Sequence, residues 1–200
     1  RLAPLLDNDL RKITLANSLL FTLPGSPIIY YGDEIGMGDN IWLPDRNGVR
    51  TPMHWSAQEN AGFSKASPEK LYAPLIADEV FGWQRINVAD QIRDPHSLWN
   101  TIKKMISLRK ATPLLGHGAF DWAEVAHKGI AAYWRSTQQE RVLILNNLTD
   151  QMIQFDLADH PLSVSAFFDL HAESRIEKRP GDRWDFQLEP FQYRWLKVIE

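Results

Sequence analysis

A chain of 200 residues with 44% hydrophobic content can bury a core and can hold one or two domains. Its 22 basic and 25 acidic residues leave a net charge of −3, so electrostatics makes no case for nucleic acid or for an anionic membrane, and a neutral partner fits better. With no cysteine, a disulfide framework and a thiolate metal site are both excluded, and a reducing compartment is permitted.

In chain order, Asp7-Asn8-Asp9 offers N-cap candidates, and Leu10, Ile13, Ala16, Leu20 and Leu23 recur at spacings of three or four, which is one helical face. Pro24-Gly25 stops that helix, and a short apolar run, Pro27 to Tyr31, follows. A run this short and apolar throughout predicts a strand of a parallel sheet covered on both faces. The most apolar window, Ile13 to Tyr31, is interrupted by Asn17, Ser18, Pro24, Gly25 and Pro27, so it is not a membrane span, and no signal peptide is expected. Arg1 opens what reads as polar connecting sequence, which predicts a fragment of a longer protein.

From Gly32 to Trp55 the chain is dense in Gly, Asp, Asn and Arg. A loop of that length is uncommon unless it is functional or disordered, and Ile41, Trp42, Leu43, Met53 and Trp55 are expected to anchor it. The stretch from Asn60 to Asp94 reads as irregular, with Phe81, Trp83 and Ile86 as scattered anchors. Asp94 is placed to cap a second helix with Pro95 at its first position, Leu98, Ile102, Met105, Ile106 and Arg109 on one side, and Thr112-Pro113 at its end. From Gly118 the period changes to two. Strands are expected at Phe120 to Val125, Gly129 to Arg135, Arg141 to Asn146, Met152 to Leu157, Val164 to Leu170, Arg183 to Leu188 and Tyr193 to Ile199, close enough together for a sandwich or barrel. Trp122, Trp134, Trp184 and Trp195 are expected to fill its interior. The fold class is therefore α/β plus all-β, divided near Leu115 to Gly118.

Asp33 and Glu34 stand at the carboxyl end of the expected strand, where ligand sites of parallel α/β folds lie. Adjacent residues leave a strand in opposite directions, whereas a glycosidase pair must converge on one bond about 5–9 Å apart; hydrogen bonds that shape the loop are the plainer reading. Arg46 and Arg50 flank the turn signal Asn47-Gly48. A guanidinium fixed in such a loop can grip a carboxylate or sugar hydroxyls through its planar fork, or can form a surface ion pair. His54, His96, His117, His127, His160 and His171 show no HxxxH or HExxH spacing, so no metal site is expected. With no GxGxxG, Walker loop or GxSxG, nucleotide binding and serine hydrolysis lose their usual signatures. Trp42 and Trp55, both in the loop, are open between packing and stacking on a sugar.

LANSLLFTLPGSPIIYYGDEIGMGDN, DRNGVRTPMHW and NAGFS resemble the last barrel segment of the α-amylase superfamily of retaining glycoside hydrolases and transglycosylases. YYGDEIGM is shared widely there. The pairing of GMGDNIWLPDRNGVRTPM with a following NAGF is narrower and is most similar to the maltose α-D-glucosyltransferases, which isomerise maltose and trehalose; LWNTIKKMISLRK and FQYRWLKV fit the same relatives. The resemblance implies a (β/α)8 TIM barrel with its seventh helix at Asp9 to Leu23, eighth strand at Ile28 to Tyr31 and final helix at His96 to Lys110. Residues 1–115 would be the C-terminal part of that barrel, and 116–200 a C-terminal antiparallel β-sandwich domain. It also implies a double displacement by an aspartate nucleophile, a glutamate acid/base and a second aspartate, all upstream of Arg1, so no catalytic residue is expected here.

The substrate-binding residue implied by the resemblance is Arg50, the Arg of R-x-P-M-x-W, which contacts the glucosyl unit in relatives; Asp33 and Glu34 join it as candidates through their loop, and Trp42 and Trp55 through their place in the sequence alone. Asp33 and Glu34 match a loop that shapes the pocket. His54 stands where relatives commonly have Gln, either altering a second sugar site or supporting the loop. No cofactor is expected, and calcium only through residues outside this chain. The expected partners are a small-molecule sugar (maltose, trehalose or glucose) and the upstream part of the same barrel, with neither nucleic acid nor membrane, and the expected location is the cytoplasm. Rival readings are a hydrolase such as an oligo-1,6-glucosidase, and a non-catalytic sugar-binding or structural β-domain carrying a barrel remnant.

Overall fold

The computed structural model describes residues 1–157, 164–178 and 184–199. Five helices, α1 (Leu2–Leu5), α2 (Leu10–Thr22), α3 (Val88–Arg93), α4 (Leu98–Ala111) and α5 (Leu114–His117), precede the strands β1 (Ala119–Trp122), β2 (Ile130–Ser136), β3 (Arg141–Asn147), β4 (Ile153–Leu157), β5 (Ala166–Asp169), β6 (Ser174–Glu177), β7 (Trp184–Leu188) and β8 (Tyr193–Ile199). Two compact units result: Arg1–Thr14 with Ile28–Lys103, and Leu15–Pro27 with Lys104–Glu200.

Helix starts follow side-chain caps. Asp9 caps α2 by accepting the Arg11 N–H at 2.9 Å, and the Arg11 guanidinium, 2.7 Å from its other oxygen, holds the carboxyl down to about 2. For α4 the cap is Ser97, not Asp94: Ser97 Oγ accepts the Asn100 N–H at 3.2 Å, while Asp94 accepts the His96 N–H at 2.9 Å in the turn before the helix. The stretch before Asp94 is less irregular than expected, because it contains α3. Buried Asn87 accepts the Asp90 N–H at 3.0 Å and donates to the Asp90 carboxylate at 2.8 Å, a reciprocal cap that sustains six residues too few to show an apolar period.

The expected strand at Pro27 to Tyr31 is not formed. No described strand pairs with it, and Ile28 is 83% exposed, since a parallel strand exists only with neighbours to receive its hydrogen bonds.

In the second unit six antiparallel strands run in the order β1-β2-β3-β8-β5-β6, and β4 pairs with β7. Ile130, Ala132, Trp134, Leu143, Leu145, Phe167 and Leu196 of the larger sheet pack with Ile153, Phe155, Leu157, Trp184, Phe186 and Leu188 of the smaller in one core. That is a sandwich, and β4 and β7 alternate buried with polar residues as a half-covered pair should. β3 does not alternate, because helix α2 contacts the outer face: Trp195 Nε1 donates to Ser18 Oγ at 2.9 Å, and Tyr133 Oη lies 2.6 Å from Thr22 Oγ1. Three sequence expectations need correction. β6 is an additional edge strand whose SRIE carries one apolar residue. The strand expected through Val125 ends at Trp122, leaving Val125 as an isolated bridge to Leu157. Trp122 is 67% exposed on edge strand β1 rather than interior, unlike buried Trp134, Trp184 and Trp195. Arg183, the expected start of β7, lies outside the described residues.

His171 sits edge-on to Tyr193 and Trp195, with ring centroids 5.2 and 4.7 Å away. Burial pushes its imidazole down to about 4, helped by the Lys104 charge and opposed by Asp169. Below its ordinary value near 6.5 the unfolded chain takes up a proton that the folded one refuses, so stability falls as pH drops from about 6.5 through about 4, by roughly 3 kcal/mol at the limit. Urea midpoints at pH 7 and 4.5 measure this, and His171→Phe, which keeps the ring contacts, flattens the difference. An unchanged slope in the variant would acquit His171.

Candidate functional site

The loop after Tyr31 reverses at Gly32, whose φ of 90° is left-handed and where a Cβ would collide with the Arg1 guanidinium and come within 2.7 Å of Met37 Sδ. The Met37 N–H returns to Gly32 O at 2.8 Å across the 3-10 turn Asp33–Ile35. This turn buries Ile35 and Met37 against Met53, Ile76 and Val88, giving the loop a core of its own. Ile41 and Trp42 are not anchors, contrary to expectation: both are exposed, Trp42 by 87%. A second reversal, the 3-10 turn Asp45–Val49, delivers Arg50; Asn40 N donates to Gly48 O at 3.0 Å, and a Cβ on Gly48 would lie 2.5 Å from Asn40 O.

Arg50 is exposed, and among the described residues its guanidinium makes no hydrogen bond or ion pair, although its charge reaches the Tyr30 phenol. Its backbone is held on several sides. Tyr31 Oη donates to Thr51 O at 2.9 Å, Tyr72 Oη donates to Arg50 O, and Arg50 N donates to Asn47 O at 3.0 Å. The Arg1 guanidinium covers the Tyr31 ring at 4.7 Å and donates to Tyr31 O and, at 2.8 Å, to Val49 O. Tyr30 and Tyr31 have ring centroids 4.8 Å apart. A charged planar fork on an immobilised backbone beside two phenols is equipped to bind vicinal hydroxyls or a carboxylate.

The two loop carboxylates point into backbone. Asp33 accepts the Leu2 N–H at 3.1 Å; Glu34 accepts the Gly32 N–H at 2.6 Å, and burial raises its carboxyl against that bond. Arg46 stays exposed with Asp45 4.0 Å away. Trp42 borders a groove of about 450 Å³ with Asp39, Asn40, Asp78 and Phe81. Trp55 is half exposed, and its N–H donates to Ala61 O at 2.9 Å, where Asn60, Ala61 and Gly62 take φ values of 51°, 57° and 66° in succession. Buried His54 belongs to the interior of the loop. A carbonyl can only accept, so Nδ1 carries the proton that is donated to Ile86 O at 2.9 Å, and burial lowers the ring's pKa. The structure thus gathers Arg50 with Tyr30, Tyr31 and Tyr72, while Trp42 and Trp55 make no ring contact with them among the described residues. The tyrosines are not among the site residues that the sequence singles out; the Tyr-Tyr pair next to Gly32, part of YYGDEIGM, is the available signal, and Tyr72 carries none. No group of three His, Cys, Asp or Glu among the described residues could hold a metal ion, and no described helix is long and apolar enough to cross a membrane.

Residues 1–118 match the family described as Alpha amylase, catalytic domain. The chain belongs to the alpha-amylase family. Residues 120–195 match that described as Maltogenic Amylase, C-terminal domain, so the last segment of a (β/α)8 barrel is followed by an antiparallel β-sandwich. Among alpha-amylase relatives, the trehalose synthase of Pimelobacter sp. is 46% identical over 163 residues, covering 78% of this chain and 28% of the relative. The trehalose synthase/amylase TreS of Mycobacterium tuberculosis is 48% identical over 162 residues, covering 78% and 27%. The chain therefore spans little more than a quarter of the length of these relatives. Among solved structures, a variant isomaltulose synthase of Erwinia rhapontici in complex with D-glucose shares the fold with a TM-score of 0.73 at 21% identity, over 95% of this chain and 38% of that one. The trehalulose synthase MutB of Pseudomonas mesoacidophila gives 0.73 at 23% identity, over 94% and 38%.

Proposed function

We propose that this chain serves as part of a cytoplasmic α-glucosyl transferase that isomerises maltose to trehalose with retention. Residues 1–115 form the end of its catalytic barrel and 116–200 its β-domain. The observation that carries this reading is the exposed guanidinium of Arg50, unpaired among the described residues, on a fixed backbone in a chain 46–48% identical to trehalose synthases over 78% of its length. In the reaction the α-1,4 bond of maltose breaks, the glucosyl group passes to a carboxylate in the rest of the barrel, and the released glucose stays in place. Its anomeric hydroxyl then attacks, restoring the carboxylate and forming the α,α-1,1 bond, with no water consumed. The part of this chain is to bind and orient: Arg50 grips hydroxyls of the glucosyl unit, Asp33 and Glu34 hold the wall of its pocket, and Trp42 and Trp55 offer apolar faces to sugar.

Incubating the intact protein with maltose tests this. Trehalose is the expected product, and glucose alone would make the protein a hydrolase instead, with glucose from an α-1,6-linked disaccharide marking the oligo-1,6-glucosidase kind. The 200-residue polypeptide by itself is expected to release no trehalose, because it supplies no nucleophile; trehalose from it would refute that assignment.

A further inference from the structure

We propose that Tyr72 is a positioning residue for Arg50, its hydroxyl acting with that of Tyr31 to fix two consecutive carbonyls of the segment that presents the guanidinium. The inference rests on the placement of Arg50 in the glucosyl subsite. Tyr31, 20 residues before Thr51, donates to Thr51 O at 2.9 Å; Tyr72, 22 residues beyond Arg50, donates to Arg50 O. The two phenols are near enough to perturb one another. Pro52 follows directly and has no N–H, so this stretch cannot be tied down by an ordinary ladder on that side, and the phenols take over the role. The Tyr72 ring is braced by Phe63, with centroids 6.1 Å apart, and Phe63 N donates to Asn60 O at 2.9 Å in the left-handed turn. One side of the clasp therefore comes from the loop that begins at NAGF, far along the chain from the turn that delivers Arg50.

Tyr72 is itself 65% exposed, so its hydroxyl has little to add to stability through burial. Its effect should be felt in the aim of the arginine, where a displacement of about an ångström is costly to a bound transition state. A double-mutant cycle on the intact protein, with maltose as substrate, measures this. Tyr72→Phe is expected to lower kcat/KM about tenfold, mainly through kcat, with an unchanged Tm. In an Arg50→Ala background the same change is expected to have no further effect, because the group being aimed is gone. A repeated tenfold loss in that background would show that Tyr72 acts independently, and an intact kcat/KM in Tyr72→Phe beside a crippled Arg50→Ala would show that it does not aim the arginine; either result overturns the inference. An unchanged Arg50→Ala overturns instead the subsite reading on which it rests.

Discussion

Arg50→Ala in the intact protein is expected to lower kcat/KM for maltose by about 10²- to 10⁴-fold while leaving Tm unchanged. The two halves of this expectation come from the same observation. The guanidinium has no partner among the described residues, so truncating it orphans no buried group and opens no cavity. In the bound state it would supply charged donors to sugar hydroxyls, each worth roughly 1.5–3 kcal/mol, and two such bonds from one fork strengthening in the transition state give the stated range. Arg50→Lys should recover only part of the loss, since an ammonium is a point charge that cannot hold two hydroxyls in one plane. Steady-state kinetics with calorimetry separates the outcomes: an unchanged kcat/KM removes Arg50 from the site, and a large fall in Tm makes it structural.

How much of this was legible in the sequence varied with the range of the interaction involved. α2 and α4 were readable because their apolar residues recur every three or four positions, and β4 and β7 because Ile153, Phe155, Phe186 and Leu188 alternate with polar neighbours. The reading failed where a distant partner decides. Pro27 to Tyr31 has the composition of a buried parallel strand, but composition cannot supply neighbouring strands. Trp122 looks like its buried counterparts and is exposed only because β1 is an edge. At the candidate site, Arg50 stood out through its turn and its motif, whereas Tyr31 and Tyr72 matter through hydroxyl contacts 20 and 22 residues away, which leave no local pattern.

A second large effect is expected at Arg135, which is 1% exposed and has no carboxylate partner among the described residues. A guanidinium has five N–H donors, and here each finds a carbonyl: Nε on Ala119, Nη1 on Thr22 at 2.6 Å and Leu115 at 3.0 Å, Nη2 on Leu114 at 3.4 Å and Gly118 at 2.9 Å. Thr22 ends α2, and the other four acceptors belong to α5 and the residues that lead from it into β1; Leu114 O also accepts the Gly118 N–H at 2.7 Å, and the cation adds donors at helix ends that the helices themselves supply poorly. Arg109 adds bonds to Phe21 O and, at 2.9 Å, Gly25 O; burial, and after it the Arg109 charge, lowers the Arg135 pKa. Arg135→Met fills similar volume but removes five donors at once and leaves Leu114 O only its bond from Gly118 N, which is expected to cost about 3–5 kcal/mol. Arg135→Lys restores the charge with three donors in the wrong geometry and should recover less than half. Arg11→Ala, which breaks an exposed pair with Asp9, is the control and should cost under about 1 kcal/mol. Urea midpoints of the three variants decide the matter: a loss at Arg135→Met no larger than the control would mean that water reaches these carbonyls, and that the clamp between α2 and the sandwich is geometry without energy.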